Sequence, residues 1–230
     1  MKNQSLIEKN IGERLRGSLL WMFFGILISG ITGYIIYLGI QFQHPFALFL
    51  QEYFFLPLIL ELLIIILLLT ISYIAPAFIL KILFIFYSVV SGFTFSVIGL
   101  KYTPKSILMV FISTATIFLV MAIYGYSTKR DMTKIGGILF IGLSLGLLFL
   151  FINLFFRNNI LDTIISTVLI AIFTGFIAYD MKSIKEEIIR QIELGNEKVL
   201  NKVEIIGALN LYLDFVNLFI NILNVFGEEK

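Results

Sequence analysis

The chain has 230 residues, of which 59% are hydrophobic and only 14% charged, with a formal net charge of +2. That balance is far from soluble averages and marks an integral membrane protein, with nothing in its charge that points to nucleic acid. Cysteine is absent and His44 is the single histidine, which excludes disulfides, thiolate metal sites, cysteine nucleophiles and sites built on several imidazoles.

Apolar runs long enough to cross about 30 Å of hydrocarbon recur along the chain. Seven spans are predicted, at 18–40, 50–73, 77–99, 105–125, 135–156, 160–180 and 205–226. The expected fold class is an all-α membrane protein: one seven-transmembrane-helix bundle over residues 1–230, with the polar-striped last helix central. The runs are continuous rather than alternating, which excludes a closed barrel. The first, Leu19 to Ile40, is too long for the apolar region of a cleavable signal peptide and lacks a small-residue cleavage site. His44, before Pro45, reads as a surface residue. Span 2 carries Glu61 near its middle, either hydrogen-bonded to a Tyr or Ser or paired with a lysine such as Lys81. Lys81 itself reads as a snorkelling lysine. In span 3, Ser88, Gly92 and Ser96 put small residues on one face, and Gly142 and Gly146 do so in span 5, a spacing that lets helices approach closely. The only long connection, Met181 to Glu204, reads as a solvated, partly helical loop.

Topology follows from lysine and arginine. One side collects Lys2, Lys9, Arg14, Arg16, Lys81, Lys129, Arg130, Lys134, Lys182, Lys185, Arg190, Lys198 and Lys202. The other has Lys101, Lys105, Arg157 and Lys230. Thirteen against four places the N-terminus in the cytoplasm and the C-terminus outside. Trp21, Tyr37, Tyr53, Tyr73, Tyr102, Tyr124 and Tyr126 fall near span ends, as an aromatic belt requires. Short termini without a targeting segment favour a bacterial plasma membrane.

Two acids stand out in the last spans. Asp180 closes span 6 and Asp214 lies inside span 7. Ionisable groups in a span are costly, so they face protein or a water path and mark function. A close pair of carboxylates cannot easily hold two full charges, so this reads as a proton-sensitive element. As a helix-terminal acid, Asp180 opposes the helix dipole, so something else must favour it there. Asn210, Asp214, Asn217, Asn221 and Asn224 form one stripe of the last helix. The stripe faces other helices, through asparagine hydrogen bonds, or a hydrated path. Asp180, Asp214 and Glu61 together suggest a carboxylate ladder from the cytoplasmic mouth to mid-membrane.

Three segments resemble the Bax inhibitor-1 family, also called the transmembrane Bax inhibitor motif family. They are Tyr124-Gly125-Tyr126-Ser127-Thr128-Lys129-Arg130-Asp131-Met132, Ile177-Ala178-Tyr179-Asp180-Met181-Lys182-Ser183-Ile184-Lys185, and Ala208 to Phe219 around Asp214. The stretch Leu56 to Glu61 is also similar to the second helix of a bacterial member. The resemblance covers nearly the whole chain. It implies a pH-sensitive calcium leak in which Asp180 and Asp214 are the proton sensor and Glu61 a pore-associated acid, with Asn210, Asn217 and Asn221 along the same path. No cofactor is implied, and Ca²⁺ is the permeant ion. The sequence departs from the family at one place: an arginine that latches the aspartate pair in a bacterial member falls near Ser72 here, and spans 2 and 3 hold no arginine.

The expected mechanism is a proton shared by Asp180 and Asp214 that ties spans 6 and 7, while its loss sets two like charges against each other. Which protonation state conducts is open. Asp180, Asp214 and Glu61 offer hard oxygen ligands to passing Ca²⁺, too few for tight binding. The alternatives are a regulator without flux that binds a membrane protease or another membrane protein, a proton-coupled transporter, and an intramembrane aspartyl protease. The last expects Gly-x-Gly-Asp where Leu211-Tyr212-Leu213-Asp214 stands, so no catalytic role is assigned. A retinal protein is excluded by the lack of a lysine in span 7.

Overall fold

The structure, a computed structural model, describes residues 2–72 and 74–230, the side chains of residues 2–9 apart. Tyr73 of the aromatic belt and the side chains of Lys2 and Lys9 thus lie outside the described residues. The described residues are almost wholly helical: α1 (Lys2–Gln41), α2 (Pro45–Glu52), α3 (Phe55–Ile71), α4 (Ala77–Lys101), α5 (Pro104–Ser127), α6 (Thr133–Phe156), α7 (Asn159–Glu193) and α8 (Glu197–Phe226). Six of these are long and apolar enough to cross a membrane, and seven spans are reached if the bent pair α2 and α3 is one. The chain is therefore an all-helical, multi-pass membrane protein. It forms two compact units, Met1–Tyr102 with Glu187–Tyr212 and Lys230, and Thr103–Glu186 with Leu213–Glu229.

Span 2 differs from the continuous helix expected over 50–73. Its pieces are bent by 77° at Tyr53 and Phe54. The cause lies in Pro57, which has no N–H to give the Tyr53 carbonyl and whose ring would clash with it in a continuous helix. Tyr53 ends α2 with its own N–H on Phe49 O at 3.0 Å, and its carbonyl instead accepts from Leu56 N at 2.9 Å. Pro57 then sits in the first turn of α3, where a missing N–H costs nothing.

In the first unit α1 packs along α4 on the small face read from the sequence. A Cβ added to Gly92 would meet Thr32 Cβ at 2.5 Å, and Ser88 and Ser96 are fully buried. Trp21 lies edge-on to Phe84 with ring centres 6.4 Å apart, and Lys81 Nζ sits 5.1 Å from the Trp21 ring centre. Lys81 thus follows its apolar stem to an aromatic partner. His44 is exposed at the start of α2.

Local signals in the second unit fix its helix ends. Pro104 opens α5 behind Thr103, whose Oγ1 accepts from Ser106 N at 3.3 Å. Asn158 precedes α7 and its Oδ1 accepts from Ile160 N at 2.9 Å and Leu161 N at 3.1 Å. Gly142 and Gly146 of α6 meet Ile172 and Leu169 of α7, as their spacing suggests.

The stretch 181–204 is not a loop. α7 runs on to Glu193 and α8 begins at Glu197. Lysine, glutamate and arginine at helical spacing sustain the extension, with Lys182 and Glu186 paired at 3.4 Å and Glu187 and Arg190 at 2.5 Å. Gly195, at φ 65°, makes the turn: its N–H bonds Ile192 O and the Asn196 N–H bonds Gln191 O. α8 is the most enclosed span, with 72% of its apolar window buried against 11% for α6. A helix carrying a carboxylate and several amides needs such shelter from lipid.

Candidate functional site

The second unit brings Asp180 of α7 and Asp214 of α8 together. Their carboxyl groups share a hydrogen bond. A carboxylate has no proton to donate, so one of the two is protonated whenever this bond exists. Asp214 is 5% exposed and its Oδ2 has no hydrogen-bond partner among the described residues, while Asp180 is half-buried. Neither makes an ion pair with a lysine or arginine among the described residues. Among the described residues, no lysine or arginine ion pair takes the place of the missing latch arginine.

The helix carrying Asp180 is held on three sides. Gly125 of α5 lies so close to the backbone of Ala178 that a Cβ there would collide with its carbonyl, and Gly136 of α6 lies against the Tyr179 ring in the same way. One turn further, Lys182 Nζ donates to Arg130 O and Lys185 Nζ to Tyr126 O at 2.8 Å. The second of these caps a carbonyl in the last turn of α5, where a cation is also favoured by the helix dipole. Lys185 lies 4.3 Å from the Tyr126 ring centre as well. On α8, Phe215 meets Phe111 at 5.5 Å and Phe118 at 5.8 Å, edge to face. Asp131, in the loop that Lys182 grips, accepts from Thr133 N at 2.9 Å, and this bonding with Thr133 holds its carboxyl below the usual range.

Several expectations change. Asp180 is not a helix-terminal acid: it lies 13 residues before the end of α7, so the dipole objection disappears. Glu61, half-buried on α3 in the first unit, accepts from Thr94 Oγ1 at 2.9 Å rather than from a Tyr, a Ser or Lys81. Among the described residues no three of His, Cys, Asp and Glu gather closely enough to hold a metal ion. The asparagine stripe turns inward on its own helix. Asn217 Nδ2 donates to Leu213 O at 2.8 Å and Asn221 Nδ2 to Asn217 O at 2.7 Å. Asn210 is half-buried and Asn224 exposed.

The sequence reading also missed a buried hydroxyl cluster in the first unit. Tyr212 is fully buried, its oxygen 2.7 Å from Ser29 Oγ and 3.0 Å from Ser91 Oγ. Ser29 Oγ reaches Ser88 O at 2.7 Å too. Ser29 has one proton, so it serves one acceptor at a time and the cluster has alternative hydrogen-bond arrangements. The signal was a phenol in the middle of an apolar helix, whose O–H must find a partner.

Comparison with known proteins gives the family. The profile of the family described as Inhibitor of apoptosis-promoting Bax1 matches residues 12–230. The inner membrane protein YbhL of Escherichia coli (strain K12) is 38% identical over 148 residues, covering 64% of this chain and 63% of that protein. An uncharacterised protein of Borreliella burgdorferi is 38% identical over 148 residues, with the same shares. A membrane protein of Streptococcus pyogenes serotype M6 is 37% identical over 147 residues, covering 64% of this chain and 62% of its own length. These matches span less than two thirds of each relative. The family match covers nearly all of this chain, and the chain belongs to the Bax inhibitor family of membrane proteins.

Proposed function

We propose that this protein is a pH-sensitive calcium leak channel gated by the Asp180–Asp214 pair. The observation that carries the reading is the hydrogen bond between the buried Asp214 and the half-buried Asp180, neither of which pairs with a lysine or arginine among the described residues. It exists only while a proton is shared. Raising the pH removes that proton, leaves two like charges in contact and pushes α7 from α8. The shared-proton form is thus the closed one and deprotonation opens it. The pair titrates as a unit, with macroscopic rather than individual values.

The unpartnered Oδ2 of Asp214 supports a role for the pair beyond locking. Once the helices part, the carboxylates present hard oxygens to a passing cation. Two carboxylates fall short of the six to eight oxygens that Ca²⁺ takes, which suits passage rather than storage. Glu61, with Asn210, Asn217 and Asn221, belongs to the same path in this reading, and Ca²⁺ and protons are its ligands. α8 is the central helix of a seven-span bundle in which α2 and α3 together make the second span. The N-terminus is cytoplasmic, the C-terminus outside, and the membrane a bacterial inner membrane.

The test is Ca²⁺ entry into dye-loaded proteoliposomes between about pH 6 and about pH 8. Wild type should leak more as pH rises. Asp214→Asn should remove that dependence, because an amide holds its hydrogen bond to Asp180 at every pH, and Asp180→Asn should do the same. Unchanged pH dependence in both variants overturns the gate. Absence of flux at every pH in wild type overturns the channel and leaves a regulator that binds another membrane protein.

A further inference from the structure

A groove of about 540 Å³ opens on the second unit, and neither member of the aspartate pair lines it. It runs along α5 from Lys105 to Ile117 and is walled by Ile170 of α7 and by Ile222 and Phe226 of α8. Its volume is that of an ordinary ligand pocket. Twelve helical residues span about 18 Å, a little more than half of the roughly 30 Å hydrocarbon core. Lys105 stands in the first turn of α5 and Ile117 near its middle, which for a helix that crosses the bilayer corresponds to the headgroups and the mid-membrane. The groove therefore has the length and position of one leaflet's acyl chain.

Its chemistry selects the occupant. The two serines in the wall are already engaged: Ser106 Oγ accepts from Glu228 N at 3.0 Å, and Ser113 Oγ donates to Met109 O at 2.9 Å. Apart from Lys105 and Glu228 the rest of the wall is apolar, which favours an apolar chain over a polar solute along its length. The mouth holds one cation and one anion, Lys105 and Glu228. A purely anionic headgroup would meet Lys105 but also the like charge of Glu228. A headgroup with one phosphate and one ammonium meets both with opposite sign. We propose that this groove is a site for one phosphoethanolamine lipid, its acyl chain along α5, its phosphate at Lys105 and its ammonium at Glu228.

The test is native mass spectrometry of detergent-purified protein, stripped of lipid and offered phosphatidylethanolamine and phosphatidylglycerol at equal concentration. Wild type should retain one phosphatidylethanolamine. Ser113→Trp, at an exposed position, fills the groove and should weaken retention on the order of tenfold. Glu228→Lys should turn the preference toward phosphatidylglycerol, and Lys105→Glu should weaken binding of both. These two residues are exposed, so their variants test the site even if Ser113→Trp fails to fold. Equal retention of the two lipids by wild type, or a preference untouched by either charge variant, overturns the proposal. So does a dimer mass that disappears in Ser113→Trp, because a second copy of the chain then covers the groove.

Discussion

Gly125 meets α7 backbone to backbone, so one methyl group there must move a helix. Gly125→Ala should cost about 1–3 kcal/mol, the usual range for overpacking, and lower the thermal midpoint in detergent. Gly137→Ala, where nothing lies within 4 Å, should leave the midpoint unchanged or raise it slightly. Equal effects of the two would mean that the close approach at Ala178 does not exist in the membrane. Tyr212→Phe removes a buried phenol bonded to Ser29 and Ser91, while Ser29 keeps the Ser88 carbonyl. A loss of about 0.5–1.5 kcal/mol is expected in the same assay. Asp131 has its own pH signature. Its folded-state value is depressed, so its hold on Thr133 is complete above the ordinary aspartate range and weakens as pH falls through the folded value. Amide exchange at Thr133, corrected for its intrinsic pH dependence, should therefore accelerate only once pH has fallen below the ordinary aspartate range, and should be fast at all pH in Asp131→Ala. At this scale the sequence was partly readable. Asp180 and Asp214 were legible as a pair because an acid in a span has few other reasons to exist. Thr94 as the partner of Glu61 was not, because any hydroxyl at the right depth would satisfy a carboxyl.

Helices carry the same lesson in another form. Long apolar runs announced themselves, and six of the predicted spans appear within a few residues of their expected cores. The break in span 2 was missed although Pro57 marks it, since proline in an apolar run is tolerated in membranes when the freed carbonyl finds another donor. Here Leu56 N is that donor. Pro57→Ala restores an N–H at this position and should let residues 45–71 straighten. The absence of cysteine makes this measurable, because paired spin labels can be placed on α2 and α3 without background. A label separation unchanged by Pro57→Ala would assign the 77° bend to packing instead of to proline. Continuation of α7 past Asp180 was hidden for a different reason. Its last turns are polar on the outside, and hydropathy cannot tell a solvated helix from a solvated loop; Lys182, Glu186, Glu187 and Arg190 at helical spacing were the available clue.

Over the whole molecule, charge placement makes the clearest statement. Thirteen basic residues on one side against four on the other predict an external C-terminus. A periplasmic-only enzyme fused after Lys230 should be active and a cytoplasm-only fluorophore dark; the reverse would invert the gate's orientation as well. The tail itself is anchored, since Lys230 Nζ donates to Gly99 O at 2.6 Å. The two lysines that reach from α7 to the end of α5 have a further consequence. Lys182 holds the carbonyl of Arg130, in a loop that also contains Lys129. If α7 shifts as the proposed gate requires, that grip slackens, and an exposed loop held in one conformation should become a better trypsin substrate. The rate of cleavage after Arg130 should then report the protonation of the carboxyl pair from the surrounding water, with no ion gradient and no dye.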